Sequence, residues 1–394
     1  MPRLANKKQC TGCTACYSTC KKKCIIMQPD SYGFVYPKID SKKCIECKQC
    51  ESVCPVLHFE KSRLSSNSTI YAAYSKDETV RLESSSGGIV TEIAKIILNR
   101  GGLVIGAAYT DDFSVNHIRI SSVNNLSSLR GAKYTQSNLN NIFHDIRTLL
   151  ENNNELLFIG TPCQVAGLKA FLKKSYEKLI TIDFICHGVP SPMAWKSYVY
   201  YRAEKDNCGE YPYHINLRSK HTGWSHYQYS NLYEYKNGKK YSAKSGDDLF
   251  MKLFVGNYIN RESCSNCHFK GIERVSDFTV GDFWGIWDIM PEFDDNKGTS
   301  IVAVHTEIAR SIIFLLSERI NLKRVDRRSA YKQNPSMFYS SLPNNKRFEI
   351  LELISQGNFN QIEEIIKKRK KYSIISYIKR IIKSIIVTKS IFKK

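Results

Sequence analysis

The 394-residue chain contains no uncharged apolar run of the ~18 residues that a membrane-spanning helix needs. It also lacks an N-terminal apolar run of the secretory kind, so a cytoplasmic setting is expected. Acid is scarce: 37 Asp and Glu stand against 58 Lys and Arg, a formal net charge of +21. The shortage is uneven. From Ile365 onward there are eleven Lys or Arg and no acid, so this stretch alone carries +11. No segment resembles a nucleic-acid module and the charge sits mostly in one tail, so nucleic-acid binding is not expected. There is no internal repeat beyond two cysteine runs. The length allows two or three domains and a sizeable core.

Cysteine, by contrast, is plentiful, with 14 residues. Cys10-x₂-Cys13-x₂-Cys16-x₃-Cys20 and Cys44-x₂-Cys47-x₂-Cys50-x₃-Cys54-Pro55 have the ligand spacing of a bacterial two-cluster ferredoxin. Three closely spaced thiolates wrap three corners of one 4Fe–4S cubane, and the last cysteine of each run reaches the other cluster. Cys10, Cys13, Cys16 and Cys54 are therefore assigned to one cluster, and Cys44, Cys47, Cys50 and Cys20 to the second. Zinc knuckles would use cysteine pairs with longer gaps. Lys21 stands where the first run would carry proline, and Cys24 is an extra thiol nearby; neither removes a ligand. Clusters need reduced thiols, which again points to the cytoplasm.

Residues 1–59 are read as this two-cluster module and the serine-rich segment 60–68 as a linker. Residues 69–345 alternate strand-like and helix-like runs. Strands are expected at Ile70–Tyr74, Leu103–Ala107, Leu156–Ile159 and Leu179–Phe184. Helices are expected at about 87–99, 164–173 and 193–204. Strands are also read within the tyrosine-rich stretch 211–245, and a further α/β segment at Ile301–Leu316. The expected fold class is thus α+β and α/β: a ferredoxin-like module, an α/β domain with a mixed sheet, and a basic helical tail over 346–394. In that tail Ile374, Ile375, Ile378, Ile381, Ile382, Ile385 and Ile386 recur at helical spacing beside many lysines. Such a helix suits an anionic membrane surface, giving a peripheral contact at the inner membrane face. Before about residue 365, packing on the protein's own core is the expected arrangement.

Six cysteines remain: Cys24, Cys163, Cys186, Cys208, Cys264 and Cys267. Cys163 and Cys186 each follow a predicted strand, and neighbouring parallel strands open on one edge, where ligands bind. Cys264 and Cys267 form an isolated CxxC. A four-thiolate metal site, buried apolar cysteines and a structural zinc pair all remain compatible with this spacing. Ser84-Ser85-Ser86-Gly87-Gly88 opens a helix and can face a phosphate, or simply cap the helix. Arg130-Gly131-Ala132-Lys133-Tyr134 is a basic loop, and Gly281-Asp282-Phe283-Trp284-Gly285 sets aromatics between glycines.

Taken together, SSSGGIVTEI, RGAKYTQS, GTPCQVAGLKAF, DFICHGVPSPMAWKSY, LRSKHTGW, RESCSNCHFKGIERVSDFTVGDFWG and KGTSIVAVHT resemble the beta-subunit family of coenzyme F420 hydrogenases and dehydrogenases, over roughly residues 1–310. The resemblance implies an FAD-binding α/β domain with its own 4Fe–4S cluster, ligated by Cys163, Cys186, Cys264 and Cys267. It implies that Ser86, Gly87, Gly88, Arg130, Lys133 and Tyr134 help hold the flavin. Arg218, Lys220, Trp224, Asp282 and Trp284 are looser candidates near the flavin or substrate, with Lys220, Trp224 and Asp282 the candidate catalytic groups. The implied activity is an iron–sulfur flavoprotein oxidoreductase exchanging hydride with an organic acceptor or donor. That partner is a deazaflavin or another compound, and relatives of this shape also resemble proteins of bacterial surface-polysaccharide pathways. The alternative is a non-catalytic electron-transfer subunit serving a partner enzyme. The expected partners are a redox protein or reduced ferredoxin and the organic substrate.

Overall fold

The computed structural model describes residues 1–58 and 68–368. The expected linker, apart from Ser68, and the isoleucine face of the tail lie outside the described residues.

In the N-terminal module, strands β1 (Ile25–Pro29) and β2 (Val35–Ile39) pair antiparallel between the two cysteine runs. Asp30 closes their turn by accepting from the Tyr32 and Phe34 amides, both at 3.0 Å. Short helices Ala15–Thr19 and Gln49–Ser52 carry Cys16 and Cys50.

The body is built on β3 (Thr69–Ser75), β4 (Leu103–Tyr109), β5 (Val115–Ile120), β6 (Leu156–Ile159) and β7 (Leu179–Phe184). It continues through β8 (His214–Ser219), β9 (Ser230–Glu234), β10 (Lys240–Lys244), β11 (Phe278–Asp282), β12 (Ser300–Val304) and β13 (Ile320–Arg324). One eight-stranded sheet runs β13-β3-β12-β11-β7-β6-β4-β5. Its centre, β4-β6-β7-β11, is parallel, and both flanks are antiparallel. The sheet is mixed, as the alternating pattern implies. Strand β5 and the helix Ile142–Glu151 extend it beyond the elements read from the sequence.

Side chains alternate across this sheet. Val104, Leu157, Ile180 and Ile182 face the helices Ile89–Asn99 and Glu307–Leu315. Ile105, Leu156 and Phe158 face the helices Ile142–Glu151 and Pro162–Leu172. Phe143, Phe158 and Phe171 are fully buried there, so truncating any one costs about 3–5 kcal/mol.

The antiparallel sheet β10-β9-β8 packs with the helices Pro192–Asn207 and Leu249–Val255 in a second core. The helix Arg347–Ser355, read from the sequence as the start of the tail, belongs to this core. It buries Ile350, Leu351 and Ile354 beside Trp195 and Phe250, and Phe359 and Ile362 follow.

Candidate functional site

The two cysteine loops repeat one backbone pattern. Gly12 (φ 72°) and Thr14 (φ 64°) flank Cys13, and Glu46 (φ 55°) and Lys48 (φ 54°) flank Cys47. Left-handed residues on both sides of a cysteine turn successive N–H groups inward and form an anion-binding nest. Three of the four are not glycine, so this shape is held against a steric preference, as ligand loops commonly are. Cys10, Cys13 and Cys16 line one cavity together with Cys54 from the other run. That is the crossed set expected from the spacing. Its remaining wall is uncharged: Leu4, Ala5, Met27, Pro37 and Val56 are apolar, and Thr11 and Thr14 are polar. Burial pushes the Cys13 thiol up to about 12 and Cys16 well above its usual value. Thiolates here therefore need a cationic centre to carry their charge.

In the second set, Cys50, Cys20 and Cys44 pack in one small core, while Cys47 is exposed on its loop near Cys50. Cys24 joins them: its Sγ lies 3.3 Å from Cys20 Sγ and its thiol also reaches Cys44. Cys24 is thus a fifth thiol beside the four assigned to the second cluster.

The body builds a second cavity. Thr161, with Gln164, forms a capping box on the helix Pro162–Leu172, and proline occupies its first turn; this directs Cys163 off the end of β6. Cys186 follows β7, and β6 and β7 are parallel neighbours. Cys264 lies in the turn Glu262–Asn266 and Cys267 follows directly. These four line one cavity with Thr11, Arg261, Lys270 and Arg274. Burial pushes Cys186 up to about 11, Cys264 up to about 12, and Cys163 well above its usual value. Among the described residues no three His, Cys, Asp or Glu side chains close round a single ion. The cysteines in both cavities instead border a volume, and a cubane, with separate irons at its corners, fits that layout.

The two cavities adjoin. Thr11 lines both. A Cβ at Gly167 would stand 2.8 Å from Cys13 Cβ and 2.9 Å from its Sγ, so glycine lets the Cys163 helix press against the first loop. Arg261, almost fully buried, donates to the carbonyl of Cys10 (2.8 Å), to Gln136 Oε1 (2.7 Å) and to the carbonyl of Val35 (2.9 Å).

The residues implied for flavin and substrate also converge. Arg130 pairs with Glu83, joining the basic loop to the serine–glycine loop. Arg218 donates to Tyr134 Oη (3.0 Å) and pairs with Asp282 (2.7 Å), and its guanidinium lies over Trp224 and Trp284. Lys220 Nζ is held by the carbonyls of Arg81 and Ser86, the latter at 2.6 Å. Burial, helped by Arg81, pulls the Lys220 ammonium down to about 7.

Two candidates are placed differently from a simple phosphate grip. Lys133 Nζ turns back on its own loop to the carbonyls of Leu129, Arg130 and Gly131, and burial pulls it down to about 7. The Gly87 amide donates to Ser300 Oγ (2.9 Å), and a Cβ at Gly87 would lie 2.4 Å from the Ala73 carbonyl, so packing on β3 and β12 requires that glycine. Gly88 (φ 83°) opens the helix Ile89–Asn99 without a side-chain cap. Arg130 Nε, Arg218 Nε, Ser84 Oγ and Tyr109 Oη are buried without hydrogen-bond partners among the described residues. Such orphaned groups between these loops fit a polar, phosphate-bearing ligand such as FAD.

Family models match in the same order. Residues 9–57 match a 4Fe-4S dicluster domain. Residues 70–144 match the N-terminal part, and 153–328 the C-terminal part, of the coenzyme F420 hydrogenase/dehydrogenase beta subunit. The chain belongs to that beta-subunit family. With its dicluster domain, this family member is an iron–sulfur redox protein. A structure of the F420-reducing [NiFe] hydrogenase complex from Methanosarcina barkeri, derivatised with xenon, aligns with a TM-score of 0.47 at 14% identity. The alignment covers 77% of this chain and 92% of that chain. No curated protein matches the chain.

Sequence reasoning gave no role to Arg261, Lys270, Arg274 or Thr11. Three of these lie in or beside the CxxC segment (Arg261-Glu-Ser-Cys264 to Arg274), so a count of cations flanking the cysteines would have found them.

Proposed function

We propose that this chain is an FAD- and 4Fe–4S-dependent oxidoreductase linking its ferredoxin-type module to an organic hydride acceptor or donor. The observation that carries this reading is the pair of adjoining four-cysteine cavities with Thr11 common to both. Bound in these sites, clusters supply single-electron exchange and FAD supplies hydride exchange. Cys10, Cys13, Cys16 and Cys54 hold one cluster, Cys20, Cys44, Cys47 and Cys50 a second, and Cys163, Cys186, Cys264 and Cys267 a third. Arg261 keeps the first and third sites in register through its bond to the Cys10 carbonyl.

The loops around Ser86–Gly88 and Arg130–Tyr134 hold the flavin. Tyr134 and Asp282 orient Arg218 so that its unsatisfied Nε serves the ligand. Trp224 and Trp284, stacked at 5.4 Å, exclude water from this face. Lys220 Nζ binds or releases a proton near neutral pH, beside Ser86.

An electron-transfer subunit docked on a partner enzyme is the second reading. It is favoured by Phe338, Tyr339 and Leu342, exposed on a loop whose Ser340 and Ser341 bond to the backbone of Cys267 and Cys264. Turnover of an organic acceptor by the purified chain alone supports the enzyme; a flavin that reacts only with a partner protein supports the subunit. The expected setting is the cytoplasm, with the basic tail touching the inner membrane face. Among the described residues no helix is long and apolar enough to cross a membrane.

The test is composition after preparation without oxygen. Three cubanes require about twelve iron and twelve sulfide per chain, with one FAD. Stoichiometric zinc with little iron, or no flavin after incubation with FAD, overturns the proposal.

A further inference from the structure

We infer that Lys270 is a positioning residue that makes the cavity of Cys163, Cys186, Cys264 and Cys267 more easily reduced than the cavity of Cys10, Cys13, Cys16 and Cys54. The inference rests on the reading that both cavities hold clusters.

Four thiolates around a cluster leave a net negative charge, and each added electron deepens it. A nearby cation in a poorly hydrated site lowers that cost, and cluster potentials follow local charge, hydrogen bonding and exposure. The two cavities differ most in charge. The first is walled by Leu4, Ala5, Met27, Pro37 and Val56, and no charged side chain lines it. The second is lined by Arg261, Lys270 and Arg274.

Arg261 stands between the cavities and bonds the Cys10 carbonyl, so it acts on both. Arg274 donates to the Gly271 carbonyl and to Met337 Sδ, but fully buried Asp183, 3.5 Å away, opposes its charge. Lys270 is different. Its Nζ donates to the carbonyl of Cys186, itself one of the four cysteines, and to the Ser336 carbonyl at 2.8 Å. Among the described residues no carboxylate forms an ion pair with it. Of the three cations lining the second cavity, Arg261 is shared and Arg274 is opposed by Asp183, so Lys270 is the unopposed charge peculiar to that cavity.

Hydrogen bonds to sulfur work the other way: Ala15, Thr11 and Tyr17 serve Cys13 and Cys16 and the backbone of Ala5, Val56 and Leu57 serves Cys54, against Val189 for Cys264 and Thr161 for Cys163. The full, poorly hydrated charge of Lys270 outweighs these dipoles. Electrons shared between these two cavities then settle on the body side, which favours flow from the adjoining module site toward the flavin.

The experiment is a redox titration of the full chain, prepared without oxygen and followed by paramagnetic resonance. The signal lost in Cys264→Ala identifies the body site. The signal lost in Cys13→Ala identifies the adjoining module site, and in the wild type the body signal is expected at a higher potential than that one. Lys270→Gln should lower it by at least tenfold in the one-electron equilibrium, about 59 mV, while the module signals stay in place; Lys270→Arg should restore it. A body signal at or below the Cys13-dependent signal in the wild type overturns the inference, as does an unmoved signal in Lys270→Gln. Should Cys264→Ala remove no signal, the body holds no cluster; the proposed function then fails first and takes this inference with it.

Discussion

The two four-cysteine cavities are built in opposite ways. The N-terminal one is assembled by local chain geometry: closely spaced cysteines, alternating left-handed residues and one reach across from Cys54. The one in the body is assembled by topology: two parallel strand ends and a distant CxxC turn meet where β6 and β7 stop. The first is walled by uncharged side chains and the second by cations. A local site carries its own signature wherever it is placed. A topological site exists only when the surrounding sheet is correct, so its environment is set by whatever the fold delivers there.

Breaking the contact between the cavities has the largest expected effect. Gly167→Val would drive a branched side chain into Cys13, where even a Cβ stands 2.8 Å away. Overpacking of this kind costs about 1–3 kcal/mol and displaces the first loop. Iron analysis should show about four fewer irons per chain, with the signal that depends on Cys264 retained. Full iron content in this variant would mean that the helix and loop are not in contact.

Arg261→Met tests the shared strut. It strips the Cys10 and Val35 carbonyls of a buried donor, at about 1–3 kcal/mol for each group left bare. Thermal melting should fall, and signals from both cavities should broaden or shift together. A change confined to one cavity would sever the link drawn here.

The flavin side carries a pH dependence. The buried Lys220 ammonium has its pKa pulled down from 10.5 to about 7 by desolvation and Arg81. An anionic phosphate favours the charged form. Affinity for FAD should therefore be greatest below about pH 7 and decline as pH rises above it, and Lys220→Met should flatten the profile. Fluorescence measurement of FAD release at pH 6 and pH 9 checks this. Tighter binding at the higher pH would remove Lys220 from the phosphate neighbourhood.

The smallest expected effect concerns the tail. Each lysine near an anionic membrane is worth about 1 kcal/mol. Removing residues 365–394 should reduce salt-sensitive co-sedimentation with anionic vesicles and leave iron and flavin content unchanged. Equal behaviour of the two chains would rule out the membrane contact.

Legibility in the sequence follows the same division. The N-terminal ligand set can be read from spacing because consecutive cysteines report one short loop. Strands β6 and β7 can be read as apolar runs, and their adjacency brings Cys163 and Cys186 together as expected. Lys133 is implied by the resemblance to help hold the flavin; what no sequence pattern shows is that its ammonium closes its own loop on three nearby carbonyls. Gly87 is read as part of a loop that can face a phosphate; its close packing on β3 and β12 is not legible in the sequence. The helix Arg347–Ser355 is basic at its start and falls in the tail, yet packing on the protein's own core is expected before about residue 365, and Ile350 and Ile354 sit in the second core. Arg261 could be flagged as a cation beside the CxxC, but its bonds could not: Cys10, Val35 and Gln136 lie more than a hundred residues away, and no local pattern encodes such contacts.

The central claim is that the body holds a cluster of its own beside the ferredoxin module. The most direct test compares the wild type with Cys264→Ala, both prepared without oxygen, by iron and sulfide analysis and paramagnetic resonance. The account predicts about twelve irons in the wild type and about eight in the variant, with both module signals intact and flavin reduction through the module abolished. Eight irons in both proteins, with unchanged flavin reduction, would contradict it.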